Sequence, residues 1–362
     1  MLITSYIKGS AYYVPEGKLT HEELVNRFGS EQAEKIAESS GIYERRVVKD
    51  NECASDLAKK AAEELFEALE LNPKEIETLL FATQTPDYLL PTTACILQDR
   101  LGLPKTAAVF DINLGCSQYV YALMTGHSMI VSGVVNNALI LTGDTVSRII
   151  NPMDRSVVPL FGDAGTATLL KKSKDNSGFL GFDFGSDGSG FKNLIWPTSG
   201  LRKIRDKDSA LESIDKSGSV RREDDMFMDG AAVFLFTIKT IPMLVNRLLE
   251  KSHLSIKDID LFIFHQGSEL IIRTAAKTLK IPREKLHFKL HDIGNSGGST
   301  VAITLTDALI EGKVKPGMKI LLAAFGVGLS WSGAIIRWSN QAKGGICSAD
   351  YSSSPPKPKN QL

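Results

Sequence analysis

Several things are scarce in this 362-residue chain, and each scarcity removes a class of explanation. There are four cysteines, Cys53, Cys95, Cys116 and Cys347, with no CxxC pair and no regular spacing. A disulfide framework or a zinc site is therefore not expected, and a reducing, cytoplasmic compartment fits better. Net charge is also missing: 42 Lys and Arg balance 42 Asp and Glu, which leaves a formal charge of +0. A chain built to hold a phosphate backbone would carry a basic excess, so nucleic acid is not expected as a partner. No uninterrupted apolar run reaches membrane-spanning length. The N-terminus, Met1 to Lys8, has no charged segment followed by a long apolar one, so no secretion leader is expected.

What is present is an ordinary 43% of hydrophobic residues, enough for about two domain-sized units. Strand and helix patterns alternate. A charged helical pattern covers residues 19 to 40. Leu57, Ala61, Leu65, Ala68 and Leu69 recur at helical spacing, with Ser55 or Asp56 placed to cap that helix. Strands are expected at 76–82, 107–112, 138–142 and 166–170, and helices at 91–101 and 117–131. Residues 172–229 are rich in Ser, Gly, Lys, Arg and Asp and read as a connection with an exposed, solvated insertion. After residue 230 the earlier order recurs: 254–266 lines up with 71–84, 280–283 echoes 102–105, and 311–314 echoes 132–135. This is a duplication of a βαβαβ half, and two such halves predict parallel sheets covered by helices in an α/β/α/β/α body. The expected division is an N-terminal half at 1–172, a connection at 173–229, a C-terminal half at 230–338 and a disordered or surface tail at 339–362.

Chemistry collects at the carboxyl ends of strands in such sheets. Cys116 lies where the strand at 107–112 gives way to a helix, and Gly115 permits the sharp turn between them. A thiol at a helix N-terminus faces the positive end of the macrodipole, which predicts a lowered pKa. Taken alone, Cys116 reads equally well as a small core residue. The duplication supplies context. Asn295, in Gly294-Asn295-Ser296, occupies the place in the second half that Cys116 occupies in the first, and His265 ends that half's first core strand. A pseudo-twofold axis would gather the three at one cleft. A cysteine, a histidine and an asparagine so placed suit acyl transfer: a thiolate attacks a thioester, and two donors meet the developing negative charge. His21, His127, His253 and His287 are given no role, and His291 is read as structural.

The stretches Gly41 to Arg46 (GIYERR), Pro91 to Cys95, the Cys116 segment and Asp154-Arg155 through Phe161-Gly162-Asp163 stand in this order. His265-Gln266, Gly294-Asn295-Ser296 and Phe325 to Trp331 follow. With them the chain, up to about residue 338, resembles the 3-oxoacyl-acyl carrier protein synthase III family of thiolase-fold condensing enzymes. The resemblance implies a five-layer αβαβα fold. Cys116 is then the acyl-accepting nucleophile, and His265 and Asn295 bind a malonyl thioester, assist its decarboxylation and stabilise the enolate. An asparagine in this set fits the initiating rather than the elongating synthases. The oxyanion hole would be the backbone amides of Cys116 and Val327, where Val327 replaces a usual glycine. Substrate-binding positions implied are Arg155, Leu90, Phe161 and Phe325, with Leu90 at the point where a partner subunit closes the acyl pocket.

The same resemblance implies a homodimer and coenzyme A or acyl carrier protein thioesters as substrates, with no metal or redox cofactor. Some positions depart from the family. Lys35 and Ser39 replace a tryptophan and an arginine at the adenine end of coenzyme A. Leu235 and Leu270 replace basic residues that dock the carrier protein, Lys277 is retained, and Arg273 is added. His-Gln-Gly-Ser at 265–268 replaces the usual His-Gln-Ala-Asn. The alternatives are passage of the acyl group to an alcohol or amine without decarboxylation and, further off, an inactive binding subunit.

Overall fold

The computed structural model describes residues 3–173 and 177–347. The first half runs β1 (Thr4–Tyr13), α1 (His21–Phe28), α2 (Ser30–Ser40), α3 (Ala54–Leu69), β2 (Thr78–Ala82), α4 (Thr93–Arg100), β3 (Ala108–Ile112), α5 (Gln118–Val131), β4 (Asn137–Asp144) and β5 (Ala164–Ser173). The second half runs β6 (Gly178–Ser186), α6 (Gly230–Lys251), β7 (Leu261–Phe264), α7 (Glu269–Leu279), α8 (Thr300–Ile310), β8 (Lys319–Gly326) and β9 (Ser330–Arg337), and β10 (Gly345–Cys347) closes the chain. The strands form one sheet in the order β10-β1-β5-β4-β2-β3 and another in the order β7-β8-β9-β6. In each, the strands that lead to the candidate site are parallel: β4 with β2, β2 with β3, and β7 with β8.

Side-chain packing gives five layers. Leu80 and Ile140 of the first sheet meet Ile263 and Leu322 of the second through Tyr119 and Leu123 of α5 and Val301 and Leu305 of α8. The middle layer is therefore the helix pair α5 and α8, buried over most of their surface because a sheet covers each face. On the outer face of the first sheet α3 and α4 bury Leu57, Leu65 and Leu97, and on that of the second α6 and α7 bury Leu244, Leu248 and Ile272. Among the described residues α6 alone is long and apolar enough to cross a membrane, yet its Ile241, Leu244, Val245 and Leu248 pack on the second sheet.

The duplication is visible in the backbone itself. Three pairs of left-handed residues close equivalent helices: Glu70 and His253 after α3 and α6, Gly102 and Lys280 after α4 and α7, and Gly133 and Gly312 after α5 and α8. Each sits where a helix must reverse toward the next strand, which a left-handed residue allows in the fewest steps.

Four local expectations change. The pattern at 19–40 is two helices, because Gly29 (φ +89°) breaks it. At the start of α3 it is Asp56 that satisfies the Cys53 N–H (2.8 Å), while Ser55 donates to Asp87 instead. The connection at 173–229 contains β6, an integral strand of the second sheet, so that half begins before residue 230. The remainder of this stretch is held down rather than free. It forms two short ribbons, Leu194–Ile195 with Phe227–Met228 and Ser213–Ile214 with Val220–Arg221, and Arg221 pairs with buried Asp154 at 2.9 Å. The start of the expected tail is likewise ordered, since β10 pairs in parallel with Ser10, Ala11 and Tyr12 of β1. Its remaining residues, 348–362, lie outside the described residues.

Candidate active site

Between β3 and α5 the chain turns at Leu114-Gly115-Cys116-Ser117. The turn passes against the loop after β8 so closely that a Cβ on Gly115 would lie 1.8 Å from Val327 Cγ1. Absence of a side chain at 115 is what gives Val327 its place. A Cβ on Gly326 would stand 2.7 Å from the Cys116 sulfur, so the loop runs directly over the thiol. Val327 keeps a negative φ, and its backbone N–H and that of Cys116 both hydrogen-bond the sulfur. These are the two amides expected of an oxyanion hole, and a valine at 327 does not turn its N–H away.

The expected low pKa of Cys116 is not found. Cys116 is buried, and desolvation of the charged form, with the negative charge of Asp144 nearby, pushes its pKa up to about 12 against the two amides that favour the thiolate. The gain from one helix end is small beside the cost of burying an anion. The resting thiol is therefore neutral.

His265 follows β7 and is also buried. Its Nδ1 lies 2.6 Å from the Thr300 hydroxyl, at the first residue of α8. That hydroxyl also accepts the Gln266 N–H (3.3 Å); in the tautomer in which it donates to Nδ1, the proton of the neutral ring stands on Nε2. Burial lowers the pKa of His265 to about 3, which keeps the ring neutral. The Phe325 ring stands edge-on to it at 5.4 Å. Asn295 sits on a loop that the first half holds: its N–H donates to Leu160 O (2.8 Å) and its carbonyl accepts from Gly162 N–H (3.0 Å). Asn295 Oδ1 accepts the Gly297 N–H at 3.1 Å, so Nδ2 is the free donor. Both free donors converge. A Cβ on Gly267 would be 3.2 Å from His265 Nε2 and 3.7 Å from Asn295 Nδ2.

Cys116, His265 and Asn295 line one cavity of about 280 Å³, together with Phe161, Phe325 and Arg155. Arg155 donates to Gln32 Oε1 (2.8 Å) and faces the Phe28 ring, and Gln32, Phe28, Lys35 and Ser39 line an adjoining surface cleft. Leu235 and Leu270 are exposed. Leu90 is not brought to this cavity. It is 88% exposed on a tip with Tyr88 and Leu89. A second cleft of about 690 Å³ is walled by Leu114, Gly115, Val327, Leu194, Trp196 and Met226. His287, Asp307 and Glu311 form the one grouping of potential metal ligands among the described residues, and the Lys313 ammonium stands against both His287 Nδ1 (3.1 Å) and Glu311 (2.6 Å).

Sequence reasoning missed two residues that hold the site. Thr300 hydrogen-bonds His265 Nδ1 and so orients the ring. Asp144, at the end of β4, accepts from Gln84 N–H (2.9 Å), Gln118 Nε2 (2.9 Å) and Gly298 N–H (3.0 Å), which ties the turn of the nucleophile to the loop of the second half. Its position at the end of a parallel strand was a signal that the strand-end rule could have caught. Thr300 carried none.

A thiol under two amides, facing two neutral N–H donors across a cleft between duplicated halves, defines the class of thiolase-fold condensing acyltransferases. Comparison with known proteins narrows this. Residues 110–188 match the family described as 3-oxoacyl-[acyl-carrier-protein] synthase III, and residues 249–338 match its C-terminal family. Beta-ketoacyl-[acyl-carrier-protein] synthase III of Caldanaerobacter subterraneus is 36% identical over 337 residues, 93% of this chain and 98% of that protein. The enzyme of the same name from Clostridium perfringens is 37% identical, covering 91% of this chain and 98% of that protein. A crystal structure of a 3-oxoacyl-(acyl-carrier-protein) synthase III superposes with a TM-score of 0.90 at 36% identity, over 92% of this chain and all of that one. A 3-oxoacyl-(acyl carrier protein) synthase from Burkholderia xenovorans gives 0.87 at 32% identity, over 96% and 98%. The chain belongs to the 3-oxoacyl-acyl carrier protein synthase III family and is a condensing enzyme that makes 3-oxoacyl products. Acyl transfer to an alcohol or amine is not favoured by these relatives.

Proposed function

We propose that Cys116 carries the acyl group and that His265 and Asn295 activate the extender. In loading, the Cys116 sulfur attacks the thioester carbonyl of an acyl-coenzyme A or acyl carrier protein donor. The amides of Cys116 and Val327 hold the resulting oxyanion, and the thiol proton leaves with the departing carrier thiol. In the second half-reaction a malonyl thioester places its carbonyl oxygen on His265 Nε2–H and Asn295 Nδ2–H. Loss of carbon dioxide leaves its electron pair as an enolate that these donors stabilise. The enolate carbon attacks acyl-Cys116, the sulfur leaves as thiolate, and a 3-oxoacyl thioester results. The electron pair comes from decarboxylation, so no metal or redox cofactor is required. Phe161 and Phe325 wall the reacting centre, and Arg155 meets the carrier end of the substrate at the cavity mouth.

The observation that carries this reading is the pair of donors. Each has its other polar atom occupied, by Thr300 or by Gly297, and each turns its remaining nitrogen, His265 Nε2 or Asn295 Nδ2, to the cavity that holds Cys116.

A homodimer accompanies the proposal. β3 is the edge strand of the first sheet, with its side chains partly exposed, and the apolar tip Tyr88-Leu89-Leu90 stands beside it. Pairing of two β3 strands would cover that edge and would carry Leu90 toward the acyl cleft of the other protomer. The separated thiols fit a cytoplasmic setting.

The test is intact-protein mass after mixing with a panel of acyl-coenzyme A donors, then addition of malonyl-acyl carrier protein with capture of carbon dioxide. The adduct forms on the wild type and not on Cys116→Ala. Asn295→Ala still acquires the adduct, while its condensation falls about 10²- to 10³-fold. Condensation by Asn295→Ala at the wild-type rate would remove Asn295 from the mechanism.

A further inference from the structure

Among the described residues, Arg155 is the one charged side chain that lines the cavity holding Cys116. It stands where that cavity adjoins the surface cleft along α2. Ile36 and Ser39 line both, and Gln32, which accepts from Arg155 Nη1 at 2.8 Å, lines the cleft. Lys35 and Glu31 in the cleft offset each other in charge, so the junction takes its positive charge from Arg155.

The guanidinium is held at one corner and over one face. Nη1 donates to Gln32 and also to the Ser217 carbonyl (3.4 Å). A Cβ on Gly218 would lie 3.3 Å from Arg155 Cζ, 3.4 Å from Nη1 and 3.5 Å from Nη2. With Cζ the nearest of the three, Gly218 lies over the face of the group rather than at its rim, and its φ of +80° suits glycine. Nε is buried and has no acceptor among the described residues. A buried N–H without a partner is costly unless a ligand supplies one. Nε and Nη2 share the edge with which an arginine grips an oxyanion by two parallel bonds.

This arrangement is made by the stretch 213–221, whose composition reads as part of a solvated insertion. Ser213–Ile214 and Val220–Arg221 pair as a hairpin. Its turn closes on Asp215 Oδ1, which accepts the N–H groups of Ser217 (2.8 Å) and Ser219 (3.1 Å). Arg221 joins that turn to the chain on both sides of Arg155. Its Nη1 meets Asp215 Oδ2 (2.9 Å), its Nε donates to buried Asp154 (2.9 Å) and its Nη2 donates to the Ser156 hydroxyl (3.2 Å).

We propose that the hairpin belongs to the carrier site: it presets Arg155 to take the phosphate of a phosphopantetheine arm on its Nε–Nη2 edge, with Arg221 as the positioning residue. This rests on the loading reading above. The phosphate is common to coenzyme A and to acyl carrier protein.

The experiment follows loading of Cys116 in the full-length protein, by intact mass, from one acyl group carried on pantetheine, phosphopantetheine, coenzyme A or acyl carrier protein. Rates across donor concentrations separate binding from chemistry. The wild type loads from phosphopantetheine with a kcat/KM at least about tenfold above that for pantetheine. In Arg155→Gln and in Arg221→Gln that ratio falls by about fivefold or more, and the fall lies in KM rather than in kcat. A matching loss with coenzyme A, with acyl carrier protein or with both supports the proposal and shows which carrier brings the phosphate; a loss with neither overturns it. Equal loading from pantetheine and phosphopantetheine by the wild type overturns it whether or not the variants fold. An equal loss on those two donors in Arg221→Gln overturns it too, because a packing role alone does that. Absence of an adduct from every donor on the wild type overturns the loading reading on which it depends.

Discussion

The two halves share their order of elements and their three matched left-handed closures, yet they treat the equivalent third strand differently. In the first half β3 is a full strand on the sheet edge, partly exposed, and Cys116 follows at a tight turn into α5. In the second half the corresponding segment touches β7 through a single bridge, Phe262 with Leu286, and then wanders to Asn295. Lys289 in that segment is committed to Asp292 (3.1 Å) and Asp307 (3.7 Å). One copy thus keeps a sheet edge that can pair and a rigid turn for a nucleophile. The other gives up strand pairing and gains a loop whose backbone bonds to the first half, at Leu160 and Gly162. Duplication supplies two strand ends at one cleft, and in the proposed mechanism one serves covalent chemistry and the other hydrogen bonding.

The sharpest way to break this contrast is to charge the edge that only the first half keeps. Phe110 on β3 is 38% exposed. In the proposed homodimer Phe110→Lys sets like charges against each other across the twofold interface, which costs several kcal/mol and raises the dimer dissociation constant at least about hundredfold. In sedimentation the wild type runs at twice the 39.5 kDa chain and the variant as a monomer. A Phe110→Lys protein that still sediments as a dimer would place the interface elsewhere.

A smaller effect tests the hydrogen-bonding half. Thr300→Val keeps the shape of the side chain and removes the hydroxyl that fixes His265 Nδ1. The ring is then free to take either tautomer, and one of them offers no donor to the extender. Condensation falls about tenfold, more than loading of Cys116 does, and Thr300→Ser restores it. Since burial holds His265 neutral, with a pKa of about 3, the residual rate gains no new pH dependence between pH 5 and 8. Equal losses in loading and condensation would mean that Thr300 serves only packing.

The parts of this molecule that were legible in the sequence are those governed by periodicity and repetition. Apolar spacing gave α3 through Leu57, Ala61 and Leu65, and the echo of 71–84 in 254–266 matched β2 with β7. The strand-end rule then brought Cys116, His265 and Asn295 to one cavity. What stayed hidden depends on distance across the fold. β6 carries Leu180, Phe182 and Phe184 in alternation with Gly181, Asp183 and Gly185, but it opens a charge-rich stretch whose overall composition reads as connection, and Asp183 meets its partners Arg247 and Lys251 only in the fold. β10 follows a polar stretch and is held by a neighbour more than 300 residues away in sequence. The compensation between Gly115 and Val327 is visible only when the two loops meet. The acidity of Cys116 was misjudged for the same reason: a helix end can be read locally, whereas complete burial and a carboxylate on another strand cannot.

That carboxylate gives the finest test of how the halves are coupled. Asp144 lies beside Cys116 and bonds both to α5 and to the Gly298 loop of the other half. Desolvation raises its pKa to about 7, against the hydrogen bonds it accepts, whereas an unfolded aspartate titrates near about 3.9. The native state therefore binds this proton more tightly than the unfolded one. The stabilisation is complete below about pH 4 and is lost as pH rises through 7. Asp144→Asn cannot titrate, so its melting temperature relative to the wild type improves from pH 5 to pH 8, even though the amide makes poorer bonds at every pH. The same substitution removes a negative charge from the neighbourhood of the thiol. Its pKa then falls, and alkylation of Cys116 by iodoacetamide at pH 8.5 runs roughly threefold faster than in the wild type. Unchanged alkylation alongside the shifted melting profile would show that Asp144 ties the two halves together without setting the charge state of the nucleophile.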